Sequence, residues 1–320
     1  MGGLGNQLFQ IFTTIAYAAD NQIPFYFSGE YNLTVGTKRH TYWNTFLKVF
    51  KEIDVIKTPV ISNPRKDNLA ALNTSIQEAF ALKGFNKKNG NNQIMVLREK
   101  EFAYNSLSFL NEILVKEPVV KEIRLHGYFQ TAKYFGHQKE HIFKMVKLFD
   151  SKKEVIERNP SYKYLTNSVT ISLHFRLGDY KFLQDLHPIL PKEYYLAALL
   201  YVMKSLSSNL NNNSNTFVKV LYFCEEADFP KVLKTIDYLK QHFPTEAVVF
   251  EKVNTNLDDW EQMVLMSLCS HNIIANSSFS WWSAYFNTNY NKIICCPKKW
   301  FGPRSNHDTK DLYLDEWIQI

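Results

Sequence analysis

An imidazole, a guanidinium and a carboxylate stand close together in HFRLGDY, His174 to Tyr180. The segment continues the apolar, β-branched run VTISLHF, so these side chains emerge at the carboxyl end of a strand, where open α/β sheets bind their ligands. His174, Arg176 and Asp179 together suggest a charged substrate. The alternative is structural, with Arg176 and Asp179 pairing across a turn.

Three other segments carry chemistry. NSSFSWWSAYF, Asn276 to Phe286, follows the short apolar run NIIA. Small hydroxyl residues at a strand-to-helix junction offer backbone N–H groups and hydroxyls to phosphate oxygens, and the helix dipole adds to this. Trp281 and Trp282 fit either packing or stacking on a sugar or base. FCEEADF, Phe223 to Phe229, sets Glu225 and Glu226 at another strand end. Such a pair could bind a metal, act as a base, accept from a guanine edge, or sit in the first turn of a solvated helix. The opening, MGGLGNQLFQIF, has glycines that permit positive φ or close approach, an Asn6 able to cap a helix and a Gln7 able to reach outward.

The elements that must hold these residues are legible in the second half. VTISLHF, FVKVLYF, AVVF, NIIA and KIICC read as buried parallel strands. PKEYYLAALLYVMKSL, PKVLKTIDYLKQHF and LDDWEQMVLMSLCS read as the helices between them, so this half is a doubly wound α/β domain. In the first half, Leu8, Phe12, Ile15, Ala16 and Ala19 share one helical face, predicting a helix over 6–19. IPFYF and EIRLHGYF read as strands, and KYFGHQKEHIFKMVKLF as a helix. The region from Gly29 to Asn92 mixes helical pieces with turns. A boundary near 159–167 gives two α/β domains, 1–165 and 166–320.

Composition narrows the function. The chain has 320 residues, 45% of them hydrophobic and 15% aromatic, which is globular. A net charge of +6 can steer an anionic ligand such as a nucleotide diphosphate, but does not imply nucleic acid. The longest apolar run, YYLAALLYVM, is about half of what a membrane span needs. No secretory leader is read at the start. Cys224, Cys269, Cys295 and Cys296 form no C-x-x-C pair, so they read as buried free thiols in a reducing compartment. A cytoplasmic protein, or one peripheral to a membrane, is expected.

Taken together, GGLGNQLFQ, GYFQTAKYF (Gly127 to Phe135), HFRLGDY, LPKEYYLAAL, MSLCSHNIIANSSFSWWSAY and PKKWF (Pro297 to Phe301) resemble the signature blocks of the α-1,2-fucosyltransferases, glycosyltransferase family 11. They run in order from residue 2 to residue 301. The resemblance implies a GT-B type α/β fold, two facing Rossmann-like domains with a cleft between them. It implies transfer of L-fucose from GDP-fucose to a sugar hydroxyl, the 2-OH of a terminal galactoside, with inversion and without a required metal or other cofactor. The partners implied are GDP-fucose and a galactose-terminated glycan.

Carried onto this chain, the resemblance puts Arg176 on the diphosphate, His174 beside the nucleotide, and Asp179 near the reacting centre. It puts Asn276, Ser277, Ser278, Phe279 and Ser280 in the donor site, with Ser278 and Ser280 on phosphates. Gly3, Gly5, Asn6 and Gln7 join the donor site from the opening loop, and Glu226 takes the guanine. Two departures stand out. Position 177 is Leu where the family commonly has a second Arg, with Lys298, Lys299 or Arg124 as possible substitutes. Family members also carry a short apolar strand ahead of the glycine loop. That first strand is expected to be missing here, leaving the N-terminal sheet an unfilled slot or a substitute strand.

Overall fold

The computed structural model describes residues 2–29, 32–33, 39–57, 85–89, 94–99, 102–107, 110, 122–209, 217–245 and 247–320. Most of the region 29–92 read as mixed helix and turn lies outside the described residues. The chain divides into two compact units, Met1–Lys147 with His307–Tyr313, and Leu148–Asn306 with Leu314–Ile320.

The first unit opens with α1, Leu4–Asn21, whose Leu8, Phe12, Ile15 and Ala16 are fully buried. Gly3 stands at its N-cap in an extended conformation without a side-chain cap, and Gln22 ends it in the left-handed region at φ 54°. Gly5, Asn6 and Gln7 therefore belong to the first helical turn, not to a loop. Short strands follow: β1 (Phe27–Ser28), β2 (Asn32–Leu33), β3 (Arg39–His40), β4 (Ile56–Lys57), β5 (Phe85–Asn89), β6 (Ile94–Glu99) and β7 (Glu122–His126). IPFYF yields only β1, because Pro24 withholds a ladder N–H early in the run. β1 pairs with β4 in parallel, β2 with β3 antiparallel, and β6 lies between antiparallel β5 and parallel β7. Among the described residues, no strand joins the β1–β4 pair to the β5–β6–β7 sheet.

The segment expected to be one helix over 133–149 is broken. Two 3-10 turns, Ala132–Tyr134 and Gly136–Gln138, precede α2, Lys139–Met145, and Lys147 then turns left-handed at φ 51°. Gly136 weakens helix propagation at the first break. Phe9 and Phe12 of α1 pack on Phe135, and Phe12 also on Phe143, which ties these pieces into one core.

The second unit begins with α3, Leu148–Arg158. Its strands are β8 (Val169–His174), β9 (Val218–Phe223), β10 (Val248–Lys252), β11 (His271–Ile273), β12 (Ile294–Cys296) and β13 (Ile318–Gln319). Between them run α4 (Lys192–Asn209), α5 (Phe229–Lys240), α6 (Asp259–Leu268) and α7 (Ser278–Tyr285). All pairings are parallel, in the order β10-β9-β8-β11-β12-β13. This is the doubly wound arrangement expected, with β13 added; at two residues it leaves no hydrophobic pattern to read. Ile171, Leu173, Val218, Val220 and Ile273 fill the sheet core against Leu199, Val202, Ile236 and Leu239 of the helices.

The division falls earlier than residue 165. α3 and the 3-10 turn Pro160–Thr166 are bonded into the second unit: Lys152 Nζ donates to Phe286 O at 2.7 Å, Arg158 pairs with Glu261 at 3.1 Å, and Asn254 N donates to Tyr162 Oη at 2.9 Å. The four cysteines are free and buried, and burial raises every one of their thiol pKa values. Among the described residues, no helix is long and apolar enough to cross a membrane.

Candidate nucleotide-sugar site

Strand order reverses between β8 and β11, the first and fourth strands of the second unit, and the crevice beyond their carboxyl ends is where doubly wound sheets take nucleotides. Both sequence-predicted donor segments lie at that point. HFRLGDY leaves β8, and NSSFSWW leaves β11 to open α7. They are tied together: Tyr180 Oη donates to Asn276 O at 3.0 Å, and the His174 and Phe279 rings lie 5.6 Å apart.

Arg176 is the centre of the first segment. Its guanidinium is ion-paired with both Asp179 and Glu225 and lies 5.0 Å from the centre of the Tyr180 ring. Tyr180 stacks on His187 at 4.8 Å, and His187 meets Phe301 at 5.7 Å. A column of rings therefore backs the arginine. The turn is fixed from below by Asp228, only 2% exposed, which accepts from Gly178 N at 2.7 Å and pairs with Lys181. Gly178 has φ 39°, so a residue without Cβ is needed there. The structural alternative of an Arg176–Asp179 pair is thus realised, together with a second partner in Glu225.

His174 is buried, and its Nδ1 has no hydrogen-bond partner. Burial first, and then the neighbouring Arg176, push its pKa down to about 3. The imidazole is neutral at any ordinary pH. Leu177 points into the sheet core, which explains why an apolar side chain is at home there.

The two acids after β9 diverge: Glu225 is extended and caps the 3-10 turn Glu226–Asp228, which Glu226 opens. Glu225 faces Arg176. Glu226 faces the other way, accepting from Lys252 Nζ at 2.7 Å and Thr255 Oγ1 at 2.6 Å, and these bonds hold its carboxyl below the usual range. Lys252 also lies 3.8 Å over the Phe229 ring.

At the start of α7, Ser277 is the N-cap and accepts from Phe279 N at 3.3 Å. Ser278 and Phe279 are half-buried and remain accessible. Ser280 is fully buried, with its hydroxyl 3.3 Å from the carbonyls of Ala275 and Ser277, and so lies behind the helix terminus. Asn276 is buried too; its Nδ2 pins Pro188 O at 2.9 Å and Trp300 O at 3.1 Å, while Oδ1 has no partner. Trp281 and Trp282 are fully buried, Trp281 stacked on Tyr285 at 5.1 Å. Packing, not ligand stacking, is their place.

The remaining predicted residues stand in the first unit. Gly3 and Gly5 form the start of α1. Gln7 is buried and turns inward to Gly2 O and His40 O at 3.2 and 2.9 Å, not outward. Asn6 does not cap the helix; its Oδ1 accepts from Gln130 Nε2 at 2.8 Å. Arg124, a possible stand-in for the absent second arginine, belongs to this unit and is paired with Glu122. Sequence reasoning named Glu225 as one of an acidic pair but not as the partner of Arg176, and it missed Asp228, Tyr180, Lys252 and Thr255 as parts of the constellation. Only their nearness to the two motifs could have signalled them.

A family model described as glycosyl transferase family 11 matches residues 2–320. The O-antigen biosynthesis glycosyltransferase WbnK of Escherichia coli is 28% identical over 202 residues, which are 61% of this chain and 60% of that protein. An alpha-1,2-colitosyltransferase of Escherichia coli is 28% identical over 198 residues, 61% of each. The chain thus spans about three fifths of the length of the curated relatives it matches. Its fold is similar to that of a mutant of Arabidopsis thaliana FUT1 solved in complex with GDP, at a TM-score of 0.50 and 11% identity, over 92% of this chain and 68% of that one. The fold is of the GT-B type. With blocks in order from residue 2 to residue 301, and a family-model match over residues 2–320, the chain belongs to glycosyltransferase family 11.

Proposed function

We propose that the chain transfers L-fucose from GDP-fucose to a hydroxyl of a galactose-terminated glycan, the 2-OH of a terminal galactoside, with inversion and without a required metal. One observation carries this reading. Arg176, oriented by two carboxylates and a ring column, lies on the β8 turn tied to the N-terminus of α7, at the switch point of a doubly wound sheet. When the fucose–phosphate bond breaks, the bonding pair leaves with GDP, and negative charge grows on the diphosphate. A guanidinium fork and the free N–H groups of a helix start stabilise that charge.

In this reading Arg176 and the Ser278 end of α7 hold the diphosphate. Neutral His174 lines the nucleotide, and Glu226 accepts from the guanine edge. Asp179 orients Arg176, to which it is already paired. Ser280, Asn276 and Ser277 shape the helix start from behind. Gly3, Gly5, Asn6 and Gln7 keep α1 and its first turn in place.

A second donor is favoured by a specific feature. Leu177 replaces the commoner arginine, and one relative carries colitose in its name. The test is a panel of GDP-sugars with lactose as acceptor, scored by GDP release and by linkage analysis of the product. GDP-fucose giving an α-1,2-fucosylated product is the expected result. A different GDP-sugar turning over alone selects the second reading. GDP binding with no release from any donor overturns both and leaves a silent nucleotide-binding protein.

A further inference from the structure

Arg176 carries more negative charge than one cation balances. Its Nη1 donates to Glu225 and its Nη2 to Asp179, and the guanidinium lies over the Tyr180 ring, 5.0 Å from the ring centre. Two carboxylates against one guanidinium leave the group net negative. Every two-donor edge of a guanidinium includes an η nitrogen, and phosphate is held best by such an edge. Here both η nitrogens are engaged by groups that repel a phosphate. A diphosphate therefore gains the fork by displacing one carboxylate.

The two carboxylates are not equivalent. Asp179 lies three residues from Arg176 on the same turn, which Asp228 fixes at Gly178 N and Lys181, so it stays with the guanidinium. Glu225 comes from another strand end, where it stands extended at the N-cap of the turn Glu226–Asp228. Its longer side chain is 56% exposed, while that of Arg176 is 24% exposed. Glu225 reaches Arg176 across Gly178: a Cβ at 178 would lie 3.1 Å from Arg176 Nη1 and 3.1 and 3.2 Å from the two Glu225 carboxylate oxygens. A half-exposed carboxylate seated over a glycine can leave by side-chain rotation alone.

We infer that Glu225 is a removable latch on Arg176. It holds Nη1 until a diphosphate takes that edge, then turns to solvent, while Asp179 and Tyr180 keep the guanidinium in place. The inference rests on the proposed diphosphate role of Arg176. Its consequence is that Glu225 competes with the diphosphate for one guanidinium, weakening GDP and helping it to leave after transfer.

The test is calorimetric titration of the full chain with GDP. Glu225→Asp keeps the charge but draws the carboxylate back by one methylene; Glu225→Gln keeps the length and loses the charge. Each should tighten the Kd for GDP by about fivefold, the upper range for a part-exposed ion pair, with Tm in place. Asp179→Asn should weaken GDP, because it removes the partner that stays. Plain charge repulsion gives another pattern, with Glu225→Asp like the parent and Asp179→Asn tighter. That pattern, or Glu225 variants that bind GDP no better than the parent, overturns the latch. Arg176→Lys separates the two readings. Weaker GDP binding by Arg176→Lys, with no gain in either Glu225 variant, overturns the latch and keeps Arg176 on the diphosphate. Parental GDP affinity in Arg176→Lys, or no GDP binding by parent and variants alike, removes the diphosphate from Arg176 and the latch with it.

Discussion

The guanidinium of Arg176 lies on the Tyr180 ring and between Asp179 and Glu225, so its direction is set before any substrate arrives. Lysine at this position would keep the charge and lose the fork. Arg176→Lys should therefore lower kcat by about 100-fold, because a point charge cannot replace bidentate phosphate contact. A variant turning over at more than about half the parent rate would remove Arg176 from the diphosphate. Histidine makes a second prediction at this scale. His174 is held near pKa 3 and His271 near 4, both mainly by burial, and His271 Nδ1 accepts from Ile293 N at 3.0 Å. Both pKa values are depressed, so below about pH 6.5 the unfolded chain binds more protons than the folded one. Stability should rise with pH up to about 6.5 and gain nothing more from these groups above it, with a slope of about 1.4 kcal/mol per pH unit for each. His271→Asn offers an oxygen in place of Nδ1 and should flatten part of that slope in urea melts from pH 4 to 7. An unchanged slope would mean that His271 titrates normally.

At the scale of elements, what could be read depended on pattern length. The strands of the second unit are continuous apolar runs bounded by turn residues, so they and their helices were legible. In the first unit several strands have two residues, and helical pieces break at Gly136 and Lys147, which offers no period to detect. The opening glycines looked like a loop because glycine is a poor helix former, yet Gly5 is buried inside the first turn of α1, where a side chain would have to be packed. Glu225 and Glu226 could not be told apart in sequence; the change from extended Glu225 into the 3-10 turn begun by Glu226 sends one to Arg176 and the other to Lys252. Asp228 was invisible because its partners, Gly178 N and Lys181 on the β8 turn, are distant in sequence. Asp228→Asn should leave Lys181 unpaired and loosen that turn. A fall in kcat of about tenfold with a lower Tm is expected, because a half-kept buried pair is worse than none. Parental kcat would show that the turn is set by other bonds. On α7, Trp281→Ala should cost about 3–5 kcal/mol by leaving a cavity beside Tyr285 and Trp317, read as a shift in denaturant midpoint. A loss of donor affinity at unchanged stability would instead return Trp281 to the ligand.

At the scale of the whole molecule, the proposed reaction asks what would balance a departing diphosphate. Metal-dependent transferases hold a divalent cation with a carboxylate cluster. Among the described residues, no group of three or more His, Cys, Asp or Glu side chains is placed to share one ion. The acids at the carboxyl edge of the second sheet are engaged instead with cations of the chain itself: Asp179 and Glu225 with Arg176, Glu226 with Lys252, and Asp228 with Lys181. Each pairing turns a carboxylate that could have bound a metal into one that aims a cationic side chain. The positive end of α7 lies beside the same turn, and the overall charge of +6 adds a weak field of the right sign. Turnover should therefore persist in EDTA, and added Mg²⁺ or Mn²⁺ should raise it by no more than about twofold, the effect of partial charge screening on the nucleotide. Salt should act in the opposite sense, raising the KM for the GDP-sugar as screening weakens attraction to the cationic edge, with little change in kcat. Abolition of turnover by EDTA, with recovery on adding either ion, would free Glu225 and Glu226 from their lysine and arginine partners and make them metal ligands. The same result would move the task of stabilising the leaving group from Arg176 to an ion, and Arg176→Lys would then be expected to retain most of its rate.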